Sequence, residues 1–85
     1  MEYRLLIDVE VLDYLQPLRP QVRARLLDRF RRIREYPSAW SDYKERDATD
    51  RLLDVCVREK HAIFYWEDFA DRHVKILAIR PADMT

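Results

Sequence analysis

The sequence predicts an α+β domain in which two helices pack on one face of a mostly antiparallel sheet. Three observations carry that prediction. The opening residues alternate with a period of two, a proline-bounded stretch carries an apolar stripe at helical spacing, and three more alternating segments fill the C-terminal half. The implied order is β-α-α-β-β-β.

In "YRLLIDV", Tyr3, Leu5, Ile7 and Val9 fall on one face and Arg4, Leu6 and Asp8 on the other, the pattern of a half-buried strand. "EVLDYLQPLRP" then places Val11, Leu12, Leu15 and Leu18 at helical spacing, and Pro17 and Pro20 hold this helix to about two turns. Pro20 suits the first turn of a second helix. Its apolar stripe is Val22, Leu26, Leu27, Phe30 and Ile33, and Pro37 ends it. Residues 38–50, "SAWSDYKERDATD", show no period and predict a loop.

Three strands are predicted after that loop. "RLLDVCVR" sets Leu53, Val55 and Val57 against Leu52, Asp54, Cys56 and Arg58. "HAIFYWED" sets Ile63 and Tyr65 against Ala62, Phe64 and Trp66. "HVKILAIR" sets Val74, Ile76 and Ala78 against Lys75, Leu77 and Ile79. The links at Glu59-Lys60 and across "EDFADR" are short enough to make neighbouring strands antiparallel. One sheet face takes the helices. On the other, Phe64, Trp66 and Leu77 are expected to form an exposed apolar patch.

The length of 85 residues fits one domain, residues 1–85, that buries only a modest share of its surface. No apolar run approaches the ~20 residues that span a bilayer, and "MEYRLLIDVEV" lacks the basic and apolar regions of a signal peptide. The cytoplasm is the expected compartment. The chain contains no glycine, which excludes the phosphate-binding P-loop and the dinucleotide fingerprint. With no asparagine either, turns are expected to rest on Asp, Pro and Ser. One cysteine and two histidines offer no zinc-site spacing, so no metal and no cofactor is expected.

Net charge is zero but unevenly spread: residues 1–16 carry −3, residues 17–37 carry +5 and residues 38–85 carry −2. Six arginines crowd "RARLLDRFRRIRE". They occupy the helix positions that the core leaves free, which reads as a solvated face with local pairs such as Asp28 to Arg32. The functional alternative is a docking surface for an acidic partner, built on Arg25, Arg29 and Arg32.

The whole order resembles the RelE/ParE superfamily, toxins of bacterial type II toxin–antitoxin modules. The resemblance rests on "YRLLIDVEV", on the helical hairpin ending "RFRRIREYP", on "RLLDVCVREKHAIFYWED" and on the closing "VKILAIRPAD". It implies a small toxin held inactive by a cognate antitoxin that wraps around it. One branch of the superfamily cleaves messenger RNA on the ribosome, another poisons DNA gyrase, and other members have no established toxicity.

Phosphodiester cleavage needs a base, an acid and cations around the phosphate. The ribosome-dependent branch places basic residues on its sheet strands. This sequence has Asp54 and Cys56 on one such strand and Ala62 at the start of the next. Only Arg58 and Arg80 remain as phosphate partners, and the helix-free face is expected to have lost its cations. The expected function is therefore a toxin that acts by binding, with DNA gyrase or the ribosome as target. The alternatives are a ribosome-dependent nuclease with a site built from Arg58, Arg80 and Tyr65, and a non-toxic relative that forms homo-oligomers through its apolar sheet face. The candidate target-binding residues are Arg58, Arg80 and Tyr65, and the candidate partner-binding residues are Arg25, Arg29, Arg32, Phe64 and Trp66. His61 and His73 read as exposed surface, Asp54 as surface charge, and Cys56 as a small sheet residue. Trp40, Tyr43 and Trp66 read as lids over the core or as base-stacking platforms.

Overall fold

A computed structural model describes residues 3–82. The elements run β1 (Arg4–Ile7), α1 (Val9–Leu15), α2 (Pro20–Glu35), a 3-10 turn (Pro37–Trp40), β2 (Tyr43–Arg46), β3 (Leu52–Arg58), β4 (His61–Asp68) and β5 (His73–Pro81). Both helices and all four expected strands are present. The fifth strand, β2, lies inside the stretch that shows no period and was expected to be a loop. Its four residues are all exposed at the sheet edge, so no buried face imposes an alternation on them.

The sheet order is β1-β5-β4-β3-β2. The β1–β5 pair is parallel, and the other three pairs are antiparallel. Helices α1 and α2 follow β1 at one sheet edge, lead the chain to β2 at the other edge, and lie on one face. Asp8 caps α1 by accepting from the Glu10 N–H at 2.9 Å. Pro20 opens α2, and Arg32 and Arg34 sit in its last turn, where cations oppose the helix dipole. The Arg23 guanidinium ties the two helices together by donating to the carbonyls of Gln16 and Leu18.

The main core lies between helices and sheet. Val11 and Leu15 of α1 and Leu26, Phe30 and Ile33 of α2 meet Cys56, Ile63, Tyr65, Val74, Ile76 and Ile79. Tyr3, Leu5 and Ile7 join from β1 as expected, whereas Val9 has left the strand and starts α1, exposed. A second cluster on the helix-free face joins Leu53, Val55, Ala62 and Phe64 to Trp66, Leu77 and Ala78. The faces assigned to β3 and β4 agree with this division. Those of β5 agree as far as Leu77 and are reversed at Ala78 and Ile79. Tyr65 pairs with Ile76 but Phe64 with Ala78, so Leu77 is an extra residue in β5. That bulge puts Leu77 and Ala78 together on the helix-free face and returns Ile79 to the main core.

The turns expose what a chain without glycine has to tolerate. Asp50, Glu59, Lys60 and Arg72 all adopt positive φ, between 53° and 64°. Glu59 and Lys60 form the two-residue β3–β4 hairpin, where both positions require the left-handed region and glycine or asparagine is the usual solution. Of these four, only Asp50 is among the residue types on which turns were expected to rest, whereas Pro17, Pro37 and Asp71 do sit in turns elsewhere. The β2–β3 connection is better served. Asp47 accepts from the Thr49 hydroxyl at 2.7 Å and from the N–H groups of Thr49 and Arg51 at 2.9 Å, and it pairs with the Arg51 guanidinium. These bonds, led by the Thr49 hydroxyl, hold its carboxyl at about 2, below the ordinary 3.8.

Two outcomes follow from the turns. Lys60→Gly relieves a left-handed residue that carries a Cβ, and should stabilise the chain by about 1 kcal/mol in urea denaturation. Asp47 is more acidic folded than unfolded, so its contribution is complete above about pH 4 and is lost as pH falls through about 2. The stability difference between wild type and Asp47→Asn should therefore be largest at neutral pH and shrink towards pH 2.

Candidate functional site

No helix covers the second face of the sheet, yet Leu53, Val55, Ala62 and Phe64 on it are all at most 6% exposed. Long cationic side chains roof it. The Arg80 guanidinium lies 4.3 Å from the centre of the Phe64 ring. Arg51 and Lys75 both lie over Trp66, at 4.8 and 5.1 Å. In this arrangement the aliphatic stems exclude water from the sheet while the charged ends stay in it, and the ring faces attract the cations.

Each of these cations also has a carboxylate partner. Arg51 pairs with Asp47 at 3.1 Å, Lys75 with Asp68 at 3.4 Å, and Arg80 with Glu45 at 3.9 Å. The Asp68 carboxyl is held below its ordinary value, first by the Asp71 N–H and then by Lys75. The Arg80–Glu45 pair is the loosest and most open of the three, with both side chains at least half exposed. Pairs of that kind contribute about 0–1 kcal/mol, so Arg80 is the cation most easily recruited by a ligand.

This arrangement corrects several expectations. The helix-free face has not lost its cations: among the described residues Arg51, Lys75 and Arg80 lie on it, each paired with a carboxylate, and Arg4 of β1 shares the face. Lys75 was legible, since it alternates with Val74 and Ile76. Arg51 and Glu45 were not, because their positions depend on β2 and its turn. The apolar patch of Phe64, Trp66 and Leu77 is not exposed: Phe64 is buried beneath Arg80, and Trp66 and Leu77 are half-buried. Homo-oligomerisation through that patch loses its apolar surface accordingly.

Tyr65, Arg58 and Arg80 do not come together. Tyr65 is completely buried in the main core, where its hydroxyl donates to the Pro37 carbonyl and burial pushes its pKa up. That bond pins the 3-10 turn after α2 to β4 and leaves the phenol no access to a target. Arg80 faces away from the helices. Arg58 sits at the end of β3 on the helix side, where it borders a cleft with Arg25, Arg29 and Arg32 of α2. The three α2 arginines thus do share a surface.

Other residues also differ from expectation. His61 is not free surface: its Nδ1 lies 2.8 Å from the Tyr14 hydroxyl and fastens α1 to the start of β4. His73 is half-buried, with an Nδ1 that has no partner among the described residues. Asp54 is buried and pairs with Lys44 at 3.0 Å. Burial pushes the Cys56 thiol up, away from thiolate chemistry. Asp68, Asp71 and His73 bring ligand atoms within 4.8 Å of one another at the β4–β5 turn, which sequence spacing did not reveal. The Lys75 ammonium already answers the Asp68 charge there. Asp83, in the last quoted motif, lies outside the described residues. Among the described residues no helix is long and apolar enough to cross a membrane.

The sequence matches no protein-family model and no curated protein at significant similarity. Solved structures do match. A chain of the archaeal RelE–RelB complex from Pyrococcus horikoshii OT3 has a TM-score of 0.83 and 24% identity, with all of both chains covered. A double arginine-to-alanine mutant of Escherichia coli RelE in the free state gives 0.70 at 17% identity, covering all of this chain and 88% of the other. The isolated Escherichia coli RelE toxin gives 0.67 at 18%, covering 98% and 87%. With its two helices on one face of a mixed five-stranded sheet, this chain has the RelE fold that the sequence motifs pointed to.

Proposed function

We propose that this protein is the toxin component of a bacterial type II toxin–antitoxin module, cytoplasmic, folded as one domain and acting mainly by binding. A cognate antitoxin would hold it, and a macromolecular target such as DNA gyrase would receive it. The fold supports the first part, since it is shared end to end with a RelE chain solved together with RelB. The observation that carries the second is the pairing of Arg51, Lys75 and Arg80 with three carboxylates. RNA binding draws its affinity from unneutralised cations that release counterions, and a face whose cations are answered one by one gains little from it.

One contact favours a second reading. Glu45 and Arg80 place a carboxylate base beside a phosphate-binding cation on the same open face, which is two of the three parts that ribonucleolytic cleavage needs. This is a different pair from the Arg58, Arg80 and Tyr65 set expected from the sequence.

Inducible expression in a bacterial host separates the readings. The chain alone should arrest growth, and co-expression of a short acidic protein encoded beside it should restore growth and co-purify with it. Purified chain should leave ribosome-bound message intact. Unimpaired growth with no co-purifying partner would favour the non-toxic relative. Message cleavage that disappears in Arg80→Ala and Glu45→Gln would replace binding with the nuclease reading.

A further inference from the structure

Two buried donors lie against each other on the helix side of the sheet without an acceptor. The Arg29 guanidinium stacks on Trp40, 4.1 Å from the ring centre. Arg29 Nε and Trp40 Nε1 are both buried, and neither has a hydrogen-bond partner among the described residues. A buried N–H left unpaired is destabilising, and folded proteins seldom leave two side by side. They border a cleft between α2 and the end of β3, which is also lined by Asp42, Cys56 and Arg58.

The neighbouring charges are already distributed. Arg25 pairs with Glu59 at 3.1 Å and Arg32 with Asp28 at 2.9 Å. Asp42 accepts the Val57 N–H at 2.7 Å. Arg29 and Arg58 form no ion pair among the described residues, so the cleft offers two uncommitted guanidinium groups and an indole N–H. Asp42 uses one acceptor site on the Val57 N–H and keeps its charge; the other uncommitted groups in the cleft are donors, and two of them are cations.

We infer that this cleft binds the side-chain carboxylate of an acidic protein segment, with Arg29 and Arg58 on the carboxylate oxygens and the Trp40 indole N–H as an added donor. Charge complementarity argues for a carboxylate over a nucleic-acid phosphate. Asp42 stands in the wall and Asp28 lines the adjoining cleft, so a polyanionic backbone would have to pass both negative charges, whereas one carboxylate fits the planar guanidinium fork between them. The surrounding +5 segment, residues 17–37, attracts an acidic chain as a whole. The inference rests on the toxin–antitoxin reading only for whose segment this is.

The test uses the full chain, labelled with 15N, and needs no antitoxin. The probes are a capped hexapeptide with three glutamates, its glutamine counterpart, and inorganic phosphate at equal ionic strength. The acidic peptide should shift the Trp40 indole and Arg29 Nε–H resonances saturably and leave the Trp66 indole unmoved. Affinity should fall at least tenfold in Arg29→Gln and in Arg58→Gln. Arg29→Lys keeps the charge and the stem but lacks the fork, and should lose most of that affinity while retaining wild-type spectra elsewhere. Equal shifts with the glutamine peptide, tighter binding of phosphate, or no shift at millimolar peptide would each overturn the inference. The last result would mean that water satisfies both donors. Growth arrest and rescue by a partner can survive any of these failures, so the two readings fall separately.

Discussion

The contact on which the rest of the structure depends is the layer of cations laid over Trp66 and Phe64. A sheet with helices on one side only must cover its other side, and 85 residues leave no third layer to do so. Arg51, Lys75 and Arg80 supply that cover with their stems, and the rings of Trp66 and Phe64 give their charges something to lie on. Asp47, Asp68 and Glu45 then set how much of the charge reaches solvent. Packing and electrostatics are therefore one device on this face, because the groups that seal the apolar cluster are the same ones that any ligand must meet.

The opposite side of the molecule is arranged differently. On α2 the arginines are not needed to cover the core, which Leu26, Phe30 and Ile33 complete from within. Some pair locally, as Arg32 does with Asp28. Among the described residues Arg29 of α2 and Arg58 of β3 do not, and they sit where an indole donor also lacks an acceptor. Two basic regions of similar composition thus end in different states, one neutralised by its own chain and one left with donors to offer. That contrast is why the proposed carboxylate docking is placed on the helix side, and it explains why the zero net charge of the whole chain describes neither surface.

The core was legible in the sequence because burial imposes a period. The α2 stripe, the alternation in β3 and β4 and the proline boundaries all result from one face being dry. What escaped has physical reasons of its own. β2 is exposed on every residue, so nothing selects its pattern, and losing it meant losing Glu45 and the turn that aims Arg51. The bulge at Leu77 shifts one residue without changing the apolar character of either face, so the assignments beyond Leu77 slipped. Tyr65 reads as a polar candidate by residue type, yet its hydroxyl serves the Pro37 carbonyl deep in the main core. The stacking of Arg80 on Phe64 has no local signature, since strand pairing alone brings β4 and β5 to that register.

The central claim is that the helix-free face is sealed by cations whose charge its own carboxylates cancel. The salt dependence of wild-type binding to a single-stranded RNA oligonucleotide tests it most directly. Near-silent cations predict the same log–log salt slope in wild type and in Arg80→Ala, whatever Arg29 and Arg58 on the other face contribute, whereas an engaged Arg80 accounts for about −0.7 of the slope on a single strand. A slope that becomes shallower by about 0.7 in Arg80→Ala would contradict the account, because it would show that side chain answering to phosphate and not to Glu45.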